Sequence, residues 1–89
     1  MSKKIWKYTL ECDCMLTMPF GSKVLSVEVQ HGKICLWALV NPTEIETEDR
    51  TFIVYGTGHE VTETNLEFIG TTLMDNGALV WHVFEVLNV

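Results

Sequence analysis

The chain is poor in several residue types, and each shortage excludes a class of protein. Its 89 residues include three cysteines, two prolines and six basic side chains. Three cysteines are an odd number, and they are too few for the disulfide framework of a small secreted domain. We therefore expect the protein to work in a reducing compartment, the cytoplasm.

Long apolar runs are also missing. No stretch reaches the roughly 20 residues that a membrane-spanning helix needs. Lys3 and Lys4 near the N-terminus are not followed by the apolar segment of a secretion signal. Helical periodicity with capping residues is absent as well, since 60–66 would form at most one turn. The sequence predicts a β protein that is neither exported nor inserted into a membrane.

Positive charge is scarce, because six Lys and Arg face twelve Asp and Glu, for a net charge of -6. Such a chain repels phosphate backbones and anionic membranes, so we expect neither a nucleic-acid polymer nor a membrane as partner. Acidic residues concentrate at Glu44, Glu46, Glu48 and Asp49, and Arg50 closes this stretch. It is either a solvated loop or a cation or partner site, and the pattern favours the loop.

Apolar residues, in contrast, are abundant. They make up 47% of the chain and include three Trp and four Phe. We expect residues 1–89 to form a single domain, which at this length buries roughly two thirds of its unfolded surface. The remaining apolar surface exceeds what one copy is expected to hide, so the composition predicts a homo-oligomer.

Two alternating runs joined at His31 and Gly32 predict a β-hairpin over 25–39. Glycine adopts left-handed backbone freely and histidine tolerates it, as a two-residue hairpin loop requires. One face of this hairpin is then apolar throughout and belongs to the core. The predicted facing pairs on it are Val29 with Ile34, Val27 with Leu36, and Leu25 with Ala38.

A second hairpin is predicted around Asn76 and Gly77, the strongest short hairpin signal. Its strands are 66–73 and 78–87. The latter is long and apolar, so we expect it in the middle of a sheet or paired across a dimer interface. The predicted facing pairs are Leu73 with Val80, Thr71 with His82, Ile69 with Phe84, Met74 with Leu79, Thr72 with Trp81, and Gly70 with Val83.

Further strands are predicted at 4–10, 14–18 and 51–55, the last buried on both faces. The total is six to seven strands in sequential antiparallel hairpins. The predicted fold is therefore all-β, as a small sandwich or a partly open barrel.

The segment Gly56-Thr57-Gly58-His59 follows a strand and is either a plain turn or an anion-binding loop that presents backbone N–H groups. It lacks the lysine of a phosphate-binding P-loop. Tryptophans would either stack on a flat ring or pack in the core. Arg50 is the predicted anion clamp. The candidate ligand-binding residues are Trp37, Arg50, Tyr55, Gly56, Thr57, Gly58, His59 and Trp81.

Metal and catalytic motifs are weak. Cys12 and Cys14 lack the second ligand pair of a zinc site, and structural burial is the favoured role of the cysteines. His82 is predicted to be a satisfied core or interface histidine. No nucleophile, base and acid arrangement is visible. We expect a non-enzymatic protein without cofactor or metal.

Motifs across nearly the whole chain resemble a family of small bacteriophage and prophage proteins with no established activity. The resemblance implies the cytoplasm of an infected bacterium as the setting, and it implies no catalytic residues. The motifs that carry it are Ile5-Trp6-Lys7-Tyr8, Met18-Pro19-x-Gly21, Leu36-Trp37-Ala38-Leu39-Val40, Tyr55-Gly56-Thr57-Gly58-His59, Phe68-Ile69-Gly70-Thr71 and Leu79-Val80-Trp81-His82-Val83-Phe84-Glu85.

Together these observations predict a counter-defence protein that sequesters a small anionic ligand in a pocket between subunits, with a nucleotide-derived signal as the leading candidate. Two alternatives stay open. One is an interaction module that inhibits a host protein, and the other is a structural or assembly factor of the virion.

Overall fold

The structure is a computed structural model that describes residues 2–11 and 14–87. Regular secondary structure in these residues consists of seven β-strands, in agreement with the all-β prediction. The strands are β1 (Lys4–Leu10), β2 (Cys14–Pro19), β3 (Lys23–Gln30), β4 (Lys33–Val40), β5 (Thr47–Gly56), β6 (Leu66–Met74) and β7 (Leu79–Val86).

The strands form two antiparallel sheets that pack as a small sandwich, and no closed barrel forms among the described residues. One sheet has the order β1-β4-β3 and the other β2-β5-β7-β6. The predicted central position of the 78–87 strand is confirmed, because β7 lies between β5 and β6. Both sheets contribute to the core, whose buried residues are Leu10, Met18, Val27, Leu36, Ala38, Val40, Phe52 and Val83.

The register of the β3–β4 hairpin confirms two of its three predicted pairs, Val29 with Ile34 and Val27 with Leu36. The prediction for Leu25 is wrong, because the register shifts between Val24 and Ser26 and Val24 pairs with Ala38 instead. A bulge inserts one unpaired residue, so Val24 packs against the core while Leu25 is 44% exposed. The turn residues His31 and Gly32 have the expected positive φ, 54° and 75°.

The β6–β7 hairpin shows the same pattern. Five of its predicted pairs are confirmed, and the register shifts between Phe68 and Gly70. Phe84 therefore pairs with Phe68 and not with Ile69, which corrects the predicted pair. Ile69 turns to the core and packs against it. In both hairpins the bulge moves a large apolar residue to the face opposite to the predicted one.

The bulged strands β3 and β6 pack against each other where the two sheets meet. The backbone N–H of Val29 donates to Thr72 Oγ1 at 3.1 Å. A Cβ added to Gly70 would lie 3.0 Å from Val27 Cγ2, so a glycine on β6 lets the strands approach this closely. These contacts join the two sheets along one side.

Strand β5 begins earlier than predicted, so the prediction that the acidic stretch is a loop is wrong for part of that stretch. Glu48 and Asp49 lie on β5 and pair with Met18 and Thr17 of β2. Thr17 Oγ1 donates to Asp49 Oδ1 at 2.7 Å. Pairing with β2 thus extends the strand through residues whose charge alone suggested a loop, while Glu44 precedes it. The predicted burial on both faces of 51–55 holds for Phe52 and Tyr55, which are buried.

None of the residues within 2–11 and 14–87 belongs to a helix that is long and apolar enough to cross a membrane.

Candidate functional site

A cleft of ≈ 680 Å³ opens between the two sheets, next to the β3–β4 turn. The first sheet contributes the end of β1 and the start of β4, and the second contributes β5, β6 and β7. Its lining is mainly apolar, with one acidic and one basic side chain. The lining residues are Leu10, Glu11, Gly32, Lys33, Ile34, Val54, Met74 and Trp81.

Trp81 is the aromatic residue in the lining of this cleft. Its Nε1 atom is buried and has no hydrogen-bond partner among the described residues. An indole N–H is a donor only, and leaving a buried donor unpaired costs on the order of 1–3 kcal/mol. A ligand that brings an acceptor to Trp81 would recover this free energy.

The Gly56-to-His59 segment lies beside Trp81, because Gly56 and Trp81 are register partners on β5 and β7. It is a tight turn in which the N–H of His59 donates to the carbonyl of Gly56 at 3.0 Å. Gly58 has a φ of 88°, as the third position of a type II turn requires. The predicted loop is therefore a well-formed turn at the end of β5.

The imidazole of His59 folds back over Gly56. Its Nδ1 accepts the backbone N–H of Gly56 at 3.1 Å. A Cβ on Gly56 would lie 2.8 Å from Cε1 of that ring. Because Gly56 has no side chain, the imidazole of His59 can pack directly over it. The ring thus covers Gly56, the register partner of Trp81.

Thr57 fixes the turn on the opposite face of the sheet. Its Oγ1 lies 2.8 Å from Nε2 of His82, and Thr71 Oγ1 lies 2.9 Å from Nδ1 of the same ring. A neutral imidazole has one donor and one acceptor nitrogen, so one threonine donates and the other accepts. Two hydroxyls thus satisfy the imidazole of His82, as predicted, but the residue lies on the outer face of the sheet and not in the core. It ties the turn to β6 and β7.

The row of Thr57, His82 and Thr71 also has the spacing of a hydroxyl nucleophile, a base and an orienting group. The row is exposed to solvent and lies on the outer face of its sheet, away from the cleft. A threonine hydroxyl and not a carboxylate holds Nδ1 of His82, so an imidazolium formed there would lack the carboxylate that stabilises it in a catalytic triad. Holding the turn in place is the role that this geometry supports.

Lys33 is a cleft residue that the sequence did not single out. It lies at the rim, where its Nζ is 3.2 Å from Glu11 Oε1, with side chains 63% and 73% exposed. An exposed pair of this kind contributes about 0–1 kcal/mol, so the ammonium group can exchange Glu11 for an anionic ligand group. Its position directly after the Gly32 turn is the only sequence signal that could have indicated it.

Arg50 is not the anion clamp that the sequence suggested. Its Nε and Nη2 donate to the carboxylate of Glu85 at 2.7 and 2.8 Å, and its Nη1 donates to the carbonyl of Ser22. The pKa of Arg50 is raised, mainly by its hydrogen bonds to Glu85. Burial lowers this pKa, and the negative charges of Glu85, Glu48 and Glu67 raise it further. Six residue steps along β5, from Arg50 to Gly56, separate Arg50 from the turn by about 20 Å.

A second cleft, of ≈ 690 Å³, surrounds Arg50. Its charged lining residues are mostly carboxylates, among them Glu48, Glu67 and Glu85. Lys23 and Arg50 are outnumbered by the four carboxylates of the lining, and the Arg50 charge is already paired, so this cleft does not favour an anion.

Trp37 and Tyr55, also predicted to bind ligand, lie elsewhere. Trp37 is on β4 between the buried Leu36 and Ala38, so alternation places it on the outer face of the three-stranded sheet. Tyr55 pairs with His82 on the outer face of the other sheet and is buried against Phe84, with ring centroids 5.9 Å apart. Of the predicted site residues, Trp81 lines the cleft; Gly56 is its register partner on β5, but the Gly56-to-His59 turn is not part of the lining.

Within the described ranges, no group of three or more His, Cys, Asp or Glu side chains is placed to hold a metal ion. Cys35 is buried and Cys14 is partly buried, both as free thiols. Cys12, the other half of the predicted cysteine pair, lies outside the described residues.

Fold and cleft define a small antiparallel β-sandwich protein with a mainly apolar, half-open cleft between its sheets. The chain belongs to the family described as a domain of unknown function, DUF7352, whose profile matches residues 1–88. No curated protein and no solved structure matches the chain.

Proposed function

We propose that this protein binds and sequesters a small ligand in the cleft between its sheets, without transforming it. Two observations carry the proposal: an apolar cleft of ≈ 680 Å³, and a buried indole N–H without a hydrogen-bond partner on Trp81, one of the residues that line it. Clefts of about 300–1,000 Å³ with few polar groups are the usual sites for small molecules. The cleft is lined by one chain, so a second subunit is not needed to form it.

The lining selects the chemistry of the ligand. Leu10, Ile34, Val54 and Met74 suit a flat, weakly polar ring, and Trp81 requires an acceptor on that ring. Lys33 at the rim can pair with one negative charge. Further negative charges are disfavoured because the chain carries a net charge of -6. A cyclic mononucleotide, with a purine ring and a single phosphodiester charge, fits these requirements better than a nucleoside triphosphate.

The proposed role of binding is to lower the free concentration of such a nucleotide in the cytoplasm of an infected bacterium, as a counter-defence protein would. The resemblance of the sequence motifs to small phage proteins supports this setting, and the cleft supports the binding step.

The test is calorimetric titration of the full chain with cyclic AMP, cyclic GMP and ATP. We expect the cyclic nucleotides to bind and ATP to bind more weakly. In Trp81→Phe, which keeps a ring and removes the N–H, the Kd should rise about tenfold, the effect of losing about 1.4 kcal/mol. Lys33→Gln should weaken binding to a similar extent. Trp37→Phe is the matched control, since Trp37 lies outside the cleft, and its Kd should stay unchanged.

Three results would overturn the proposal. The first is no heat of binding for any of the three nucleotides. The second is equal affinities of wild type and Trp81→Phe. The third is conversion of a nucleotide to product during incubation with the protein, detected by chromatography. The last result would replace sequestration with catalysis.

A further inference from the structure

The four-stranded sheet has an apolar outer face as well as an apolar inner one. On β7, Trp81 and Val83 point to the core while Val80 and Phe84 point outward, following strand alternation. Sandwiches usually present polar residues on their outer faces. We call this surface the β7 outer face, and its main apolar residues are Met15, Ile53, Phe68, Leu73, Val80 and Phe84.

Several of these side chains have no cover in the single chain. Met15 is 61% exposed, and Phe68 and Leu73 are each 56% exposed. Phe68 packs edge-to-face on Phe84 with centroids 5.4 Å apart, and Phe84 packs in the same way on Tyr55. Tyr55, Phe84 and Phe68 thus form an aromatic row across β5, β7 and β6. Aromatic clusters of this kind anchor interfaces.

The outer face of the other sheet is different in kind. Lys7 donates to Gln30 there at 2.7 Å, and Ser26 and Glu28 are further polar residues of this face by their register with Trp37 and Cys35. At one end of this face Ile5, 60% exposed, is the register partner of Leu39 and lies on the same side as Trp37, so the face also carries a smaller apolar cluster. Polar side chains occupy more of that face than of the β7 outer face, so the larger apolar surface on the β7 side requires an explanation of its own.

We infer that the β7 outer face is the site at which a second copy of this chain docks. The charge pattern supports this occupant. Asp49 is the one carboxylate among the described residues that the four strands place on this face, and it lies toward one end. Two chains that each carry a net charge of -6 meet with least repulsion where the surface is uncharged. A charged partner would need complementary charges that this face does not offer.

The size of the face also suits a dimer. Four strands about 4.8 Å apart and a β7 length of about 26 Å give a footprint of roughly 500 Å² per copy. Two copies would bury roughly 1,000 Å², which is the lower limit for a specific interface. A twofold axis through the face would set each aromatic row against its counterpart, as a symmetric dimer requires. We expect a dimer with a micromolar Kd.

The test is sedimentation equilibrium of the full chain and two variants with the same charge change. Leu73→Lys places a charge on the β7 outer face at an exposed position, and Ile5→Lys does so on the other outer face. We expect wild type and Ile5→Lys to share one dimer Kd, and Leu73→Lys to raise it at least about tenfold. Added salt should strengthen the wild-type dimer, because it screens the repulsion between acidic chains. Circular dichroism confirms that both variants fold.

The inference is overturned if the folded wild type sediments as a monomer at roughly 100 µM, where a micromolar dimer would be complete. It is also overturned if the two lysine variants weaken a dimer equally. A wild-type monomer that binds neutral lipid vesicles through Leu73 would assign the face to a membrane instead. The outcome is independent of ligand binding, since the cleft lies on the other side of this sheet.

Discussion

Arg50 and Glu85 form a two-point ion pair between strands β5 and β7, with Nε to Oε2 at 2.7 Å and Nη2 to Oε1 at 2.8 Å. Glu85 is buried, and its register partner on β6 is Glu67, a second carboxylate. Like charges directly opposite each other destabilise a sheet. Arg50 offsets this repulsion, and its charge also acts on Tyr8 of the other sheet.

Replacing Arg50 should therefore be costly. Arg50→Met leaves the Glu85 carboxylate buried, unpaired and opposite Glu67, so we expect a loss of about 3–5 kcal/mol in the free energy of unfolding. The double variant Arg50→Met, Glu85→Leu should lose much less, because it removes the buried charge as well. Urea denaturation measures both. A loss within about 0.5 kcal/mol for Arg50→Met would show that the ion pair does not stabilise the fold.

Tyr8 should titrate at unusually high pH. Burial raises the pKa of its phenol above the usual 10.0, and the charge of Arg50 lowers it in part. Because the folded pKa is the higher one, the neutral phenol favours the fold. This contribution is complete below about pH 10 and is lost as the pH rises through the folded pKa.

Tyrosinate absorbance in the Tyr55→Phe variant measures this effect, since the chain has two tyrosines. The folded variant should show a higher midpoint than the same variant in denaturant. Equal midpoints would mean that Tyr8 is solvated in the folded protein.

Gly56 and His59 should be energetically coupled. His59→Ala removes the acceptor of the Gly56 N–H, at a cost of about 1 kcal/mol. Gly56→Ala should cost a similar amount, because the new Cβ displaces the ring that lies 2.8 Å away. In the His59→Ala background the same Gly56→Ala change should be neutral or stabilising, since alanine suits a strand better than glycine by about 0.5–1 kcal/mol. A thermal-denaturation double-mutant cycle tests this, and strictly additive losses would contradict it.

Thr72 should protect the junction between the sheets. Thr72→Val removes the acceptor of the Val29 N–H, so we expect a loss of about 1–3 kcal/mol and faster hydrogen exchange at that amide. Thr72→Ser keeps the hydroxyl and should leave the exchange rate of Val29 nearly unchanged. If valine and serine have the same effect on this amide, the hydrogen bond at 3.1 Å does not hold the junction.

The local alternation of apolar and polar residues, together with the turn residues, was sufficient to predict much of the fold. The turn residues His31 and Gly32, with positive φ, set the register near the first turn, and Val27 and Val29 pair as expected. The bulge at Leu25 was not predictable from alternation, because it serves the packing of β3 on β6, a strand more than forty residues later in the chain.

The candidate site was predictable only in part, for a similar reason. Trp81 and the Gly56-to-His59 turn meet because β5 and β7 are neighbours. Lys33 lines the cleft together with Trp81 but comes from the other sheet, which no spacing in the sequence indicates. Arg50 has the composition of an anion clamp, but Glu85, its partner, is 35 positions away. Charge near a candidate loop says little about function until the tertiary partners are known.

By itself, the sequence determined the all-β class, the two main hairpins and the central position of β7, because strand alternation and turn chemistry act over a few residues. Tertiary structure alone decided which side chains share the cleft, where the bulges fall and which charge neutralises which. These depend on how two sheets meet, and the contacts there join residues far apart along the chain.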